Sequence, residues 1–211
     1  MMMDRVKWRS LLDILRATSF EQSDEAIYSL ASGGKSRYYV DCKKALSFPQ
    51  ARSLIGELIY DLVKSDDHVD AVGGLEIGAY PIATAVSDRI FAETGRSVRV
   101  FVVRKQVKGH GIGGMIAGLV KSGDRALVVD DVITSGFSAI HAIEGARKAG
   151  LQVERVVALV DREESNGRTN IEAQAVKFDA LFTLAELAKD GNSDKRPAPE
   201  FDQPRPHQAQ Y

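Results

Sequence analysis

Arg125-Ala126-Leu127-Val128-Val129-Asp130-Asp131-Val132-Ile133-Thr134-Ser135-Gly136-Phe137-Ser138 reads as a buried strand, an acidic strand end, and a small polar turn that opens a helix. The apolar run is short, rich in strand formers and followed by glycine and hydroxyl residues, which favours strand over helix. In an open parallel sheet, ligands sit beyond the carboxyl ends of the strands. Asp130 and Asp131 are therefore expected to emerge at that edge, with a helix running from about Gly136 to Ala149. Two adjacent carboxylates repel, a cost that a cation or a hydrogen-bond donor relieves. Thr134, Ser135, Gly136 and Ser138 present hydroxyls and backbone N–H groups at a helix start, where the helix dipole favours an anion. Acids that accept from hydroxyls, beside amides that hold a phosphate, describe a sugar phosphate as ligand. Strand-end solvation with Thr134 or Ser135 as an N-cap explains the acidic pair alone, but not the whole string.

The same rhythm extends in both directions. Val69–Gly74 precedes a helix from about Pro81 to Thr94, Val98–Val103 ends at a basic loop, and Val153–Val160 and Val176–Phe182 complete the series. Upstream, Asp4 to about Thr18 spaces Val6, Leu11, Leu12, Ile14 and Leu15 as an amphipathic helix. Ser32-Gly33-Gly34 marks a turn, Tyr38–Cys42 a strand, and Pro49 opens a helix with Leu54, Ile55, Leu58, Ile59 and Leu62 on one side. Buried strands alternating with helices predict an α/β fold, a mostly parallel twisted sheet flanked by helices. The expected division is an N-terminal segment over 1–48, an α/β core over 49–190 and a tail over 191–211. The tail holds four of the six prolines, lacks apolar periodicity and reads as disordered.

Composition narrows the class. A formal charge of −1 gives no global attraction for nucleic acid or membrane, so neither is expected as partner and anion binding must be local. A single cysteine, Cys42, excludes an intramolecular disulfide. No run approaches the ~18 apolar residues of a membrane span. The N-terminus lacks the apolar core of a signal peptide, and a cytoplasmic protein is expected.

Arg104-Lys105-Gln106-Val107-Lys108-Gly109-His110-Gly111-Ile112-Gly113-Gly114 places three fixed cations and a histidine within seven residues. Its glycines make it permissive, which suits a loop that covers a polyanion during chemistry and then releases it. The cations alone would equally describe a solvated surface loop. Gly109-x-Gly111-x-x-Gly114 fits a dinucleotide fingerprint in letters only, because it starts six positions after Val103 and no helix start follows. Val160-Asp161-Arg162-Glu163-Glu164 ends the fifth strand on the same edge as Asp131. Arg162 can pair bidentately with a ligand carboxylate, or it can belong to an exposed Asp-Arg-Glu ion cluster. His68, His141 and His207 have no metal-ligand spacing.

Val128–Ser138 resembles the motif by which type I phosphoribosyltransferases bind 5-phosphoribosyl 1-diphosphate (PRPP), and Arg104–Gly111 resembles the loop of orotate phosphoribosyltransferases. The resemblance spans about residues 4–190. It implies that Asp130 and Asp131 hold the ribose hydroxyls, and that Val132, Ile133 and Thr134–Ser138 form the rest of the PRPP motif around the 5-phosphate. It further implies that Arg104, Lys105, Lys108 and His110 bind the diphosphate, with Lys105, Lys108 and Asp131 as the catalytic set. Thr134 and Arg162 would contact orotate. Ser29–Tyr39 resembles a hood over the base, where Lys35 is the substitute for a lysine that many members carry at Ala31. Gly73–Ala79 resembles the diphosphate-contacting loop, with Gly78 where some members have lysine, and Phe137 stands where a small residue is common. The implied reaction joins orotate to PRPP, giving orotidine 5-phosphate and diphosphate in pyrimidine (UMP) synthesis. Magnesium would be held by PRPP rather than by protein ligands. The implied assembly is a homodimer whose 104–114 loop reaches the neighbouring site. A transferase for another base and a non-catalytic PRPP sensor are the alternatives; Arg162 argues against the first, Lys108 and His110 against the second.

Overall fold

The computed structural model describes residues 4–29, 34–65, 69–106 and 115–189. Helix α1 (Arg5–Thr18) begins where the Asp4 carboxylate accepts from the amides of Val6 and Lys7. Four short strands follow, β1 (Phe20–Gln22), β2 (Tyr28–Ser29), β3 (Lys35–Ser36) and β4 (Tyr38–Val40), paired antiparallel as β1 with β4 and β2 with β3. Cys42 was expected at a strand end but opens α2 (Cys42–Leu46). The cause is Asp41, whose side chain accepts from the Lys43 amide and so starts the helix. Then come α3 (Pro49–Val63), β5 (Ala71–Leu75), α4 (Ala79–Thr94), β6 (Arg99–Val103), β7 (Ile116–Ala117), β8 (Arg125–Ile133) and α5 (Phe137–Lys148). The described chain closes with β9 (Gln152–Asp161), α6 (Gly167–Glu172), β10 (Lys177–Thr183) and α7 (Leu184–Ala188).

The main sheet has the order β10-β9-β8-β5-β6-β7, parallel except for β7, which returns antiparallel beside β6. Residues alternate across it: Leu127 and Val129 join the apolar layer of α1, α3 and α4, whereas Val128 faces α5 with Ile143 and Phe178. The first layer also takes Leu11, Leu15 and Cys42, so the N-terminal helix packs into the main core. Trp8 stacks on Phe182 at 5.1 Å and donates from its indole to the Leu181 carbonyl at 2.9 Å. Arg16 donates to the carbonyls of Glu186, Leu187 and Lys189, tying α1 to α7.

Chain order reverses between β5 and β8, the switch point at which open α/β sheets bind ligands. The β5–β8 ladder stops at the Gly73–Val128 pair, while β8 goes on pairing with β9 to Ile133–Asp161. β8 therefore runs past Asp130, where the sequence ended it. Strand β9 supplies the continuing partner.

Candidate active site

The two acids of β8 differ sharply. Asp130 was expected to emerge at the sheet edge, but it is only 4% exposed. It lies inside the extended strand rather than after it, so the pleat carries its side chain inward. One carboxylate oxygen accepts from the Asp131 amide at 2.9 Å, and the other is buried without a partner. Burial, and then the charge of Asp131, hold its pKa well above the usual carboxylate range. Asp131 is partly open; its Oδ1 accepts from the Val132 amide at 3.0 Å and its Oδ2 lies 3.8 Å from Lys43 Nζ.

Asp131 borders a cavity of about 540 Å³ with Lys43, Glu76, Gly78, Lys105 and Ser138. Gly78 lets the Asp131 carboxylate approach closely, since a Cβ there would stand 2.6 Å from its carboxyl carbon. Asp130 and Ser138 also border a second cavity of about 360 Å³, formed by Thr134, Ser135, Gly136 and Phe137. Gly136 adopts φ +81°, and a side chain there would press on Ile171. Helix α5 starts immediately after it with no side-chain cap, which leaves its first amides to an anion. Helix α6 braces the loop from behind: Asn170 donates to the Ser135 carbonyl at 3.0 Å, and Gly167 packs against the Thr134 carbonyl. The Phe137 ring is 71% exposed and 6.1 Å from His141, so its bulk lies outside the turn.

Arg162 is 6% exposed, not the exposed ion cluster that sequence left open. Its Nε and Nη2 engage Glu164 at 2.9 and 3.2 Å, and Nη2 also donates to Ser36 Oγ at 3.2 Å and to the Tyr38 carbonyl at 3.4 Å. The Arg162 amide donates to the Ile133 carbonyl at 3.0 Å, which sets it beside Thr134. Asp161, buried, accepts from the Glu163 amide and from Arg168 and steadies the strand end. Lys35 is exposed, on the opposite face of β3 from buried Ser36.

The basic loop leaves the sheet at a pinned point. The Arg104 amide donates to the Met115 carbonyl at 2.9 Å, and the Lys105 amide donates to Glu76 Oε1 at 2.9 Å. Lys108 and His110 lie outside the described residues. The sequence reading missed Lys43 and Asn170, and it placed Glu76 and Ser36 only within the Gly73–Ala79 and Ser29–Tyr39 segments; Lys43, two residues after an N-capping aspartate, carried a local signal. Among the described residues no three His, Cys, Asp or Glu side chains gather as a metal-holding group, and no helix is long and apolar enough to cross a membrane.

An acidic strand facing a helix-start anion cradle at a switch point defines a class of protein, and the phosphoribosyl transferase domain family matches residues 45–181. An orotate phosphoribosyltransferase of Aquifex aeolicus is 42% identical over 187 residues, 89% of this chain and 99% of its own. The Mycobacterium tuberculosis orotate phosphoribosyltransferase in complex with Fe(III) dicitrate superposes with a TM-score of 0.73 at 35% identity, covering 86% of this chain and 99% of that one. The same enzyme in complex with PRPP gives a TM-score of 0.69 at 31% identity, over 88% of this chain and 93% of that one. The chain belongs to the orotate phosphoribosyltransferase family.

Proposed function

We propose that this chain transfers the 5-phosphoribosyl group of PRPP to orotate, giving orotidine 5-phosphate and diphosphate in pyrimidine biosynthesis. The observation that carries the reading is one sheet edge on which Arg162, a cation suited to a carboxylate, adjoins the Thr134–Ser138 anion cradle and Asp131. Orotate bears a carboxylate; uracil and the purines do not.

In this reading Thr134–Ser138 bind the 5-phosphate through hydroxyls and helix-start amides, and Asp130 and Asp131 accept from the ribose hydroxyls. Arg162 and Thr134 hold orotate, with Lys35 from the hood. The bond from the anomeric carbon to the diphosphate oxygen breaks as a bond from the orotate ring nitrogen forms, and the proton on that nitrogen is released. Positive charge grows on the ribose and negative charge on the leaving diphosphate, which Arg104, Lys105, Lys108 and His110 offset. Catalysis of this kind is positioning and electrostatics, with no protein nucleophile. Magnesium suits the same place: the Asp131 carboxylate borders the cavity, the Asp130 oxygen behind it has no hydrogen-bond partner, and an ion carried by PRPP would supply further neutralisation of the diphosphate. The working form is a cytoplasmic homodimer whose 104–114 loop completes the neighbouring site.

Purified protein mixed with magnesium, PRPP and orotate is expected to consume orotate, read as loss of its absorbance. Uracil and adenine are expected to be inert; turnover of either in place of orotate would overturn the reading. Lys108→Ala is expected to lower turnover about a hundredfold, the effect of ~3 kcal/mol in a transition state, with thermal stability unchanged.

A further inference from the structure

We propose that Lys43 is a further substrate contact, an ammonium that holds the diphosphate end of PRPP from the side of α2. This rests on the PRPP reading above and adds a residue to it. Lys43 Nζ lies 2.7 Å from Asp41 and 3.8 Å from Asp131, and its side chain is 59% exposed into the cavity that Lys105 and Ser138 also border. Among the described residues lining that cavity, Lys43 and Lys105 are the cations. The Glu76–Gly78 turn on its other side adds none at Gly78, where a Cβ would stand 2.6 Å from the Asp131 carboxyl carbon and would have to displace that carboxylate. The charge that Gly78 lacks comes instead from a different element.

The backbone fixes where Lys43 stands. Asp41 caps α2 by accepting from the Lys43 amide, and the same carboxylate grips the Lys43 ammonium. A purely structural role accounts poorly for this arrangement, since an exposed ion pair contributes only about 0–1 kcal/mol. The Asp41 hydrogen bond raises the Lys43 pKa, so the group is a full cation at neutral pH. Facing two carboxylates, it also has a reason to stay at the cavity edge rather than extend into water. A diphosphate entering between Lys43 and Lys105 meets positive charge from two independent elements.

The test compares full-length wild type, Lys43→Ala and Lys43→Arg by steady-state kinetics, with diphosphate and ribose 5-phosphate as inhibitors. Lys43→Ala is expected to raise the KM for PRPP and the inhibition constant of diphosphate about tenfold, or ~1.4 kcal/mol. Inhibition by ribose 5-phosphate, the KM for orotate and Tm should stay within about twofold or a degree or two of wild type, since neither ligand reaches a lysine that is exposed and outside the core. Lys43→Arg should recover most of the diphosphate affinity. Equal weakening of both inhibitors would mean that Lys43 only positions Asp131, and unchanged diphosphate inhibition would remove it from the site. Either result overturns the proposal while leaving PRPP turnover by the wild type intact; a wild type that fails to turn over PRPP at all would instead sink the reading it rests on.

Discussion

The anion cradle and the base side of this site are built on opposite plans. The cradle is five consecutive residues, Thr134–Ser138, shaped by one strand end, one left-handed glycine and one helix start. The base side is assembled across the chain: Arg162 meets Ser36 and Tyr38, 126 and 124 positions away. A site made of consecutive residues depends on backbone geometry and changes sharply when that geometry is lost. A site made of distant residues depends on side-chain contacts and can lose function in steps.

The sharpest way to break the first region is Gly136→Val. It forces a β-branched residue to φ +81° and against Ile171, and turnover is expected to fall about a thousandfold, with PRPP binding lost first. Isothermal titration with PRPP checks it; retained binding would mean that the cradle is not backbone-defined. Arg162→Ala attacks the other region, with the KM for orotate expected to rise about a hundredfold, in line with loss of a charge-assisted pair. The KM for PRPP should move less than about threefold, and an equal rise in both would erase the division between regions.

Asp130→Asn probes the seam between them. Because the folded pKa of Asp130 is raised, the folded state binds its proton more tightly than the unfolded chain does. The stability this contributes is complete below the ordinary carboxylate pKa near 3.9 and is lost as pH rises through the raised folded value. The wild type therefore loses stability as pH rises through that value, whereas asparagine, which does not titrate, loses none. Thermal melts across a pH series should show the variant gaining on the wild type as pH rises through the folded value, by about 3 °C or ~1 kcal/mol, with the advantage vanishing toward pH 3. PRPP binding is expected to weaken about tenfold at the same time, through loss of a carboxyl hydrogen-bond partner. The smallest effect belongs to Ser36→Ala, which removes one of several Arg162 partners: the KM for orotate should rise about threefold, the scale of one neutral hydrogen bond.

What could be read from sequence follows the same division. The helix and strand series, the carboxyl-end edge and the cradle rest on local periods and on glycine placement, so the sequence announced them, with residues 125–138 carrying the edge and the cradle. The length of β8 was not readable, because the pairing that carries it to Ile133 belongs to β9. Asp130 consequently looked like an edge residue and is a buried one. Lys35 and Ser36 are neighbours in sequence, but β3 turns them to opposite faces, and the serine is the one that meets Arg162. Lys43 and Lys44 look alike in sequence, yet Lys43 turns to Asp131 and Lys44 turns outward to Glu21.

The contact between Trp8 and Leu181–Phe182 bears on how the protein matures during synthesis. Its halves are 173 positions apart, so at a ribosomal rate of about 5–20 residues per second the first helix waits roughly 9–35 s for its final neighbour to be made. Until then an apolar indole has no native cover on that side, and the clasp of Arg16 on α7 cannot close. The chain's one tryptophan is thus a built-in reporter of this docking, its emission shifting when β10 settles against the first helix.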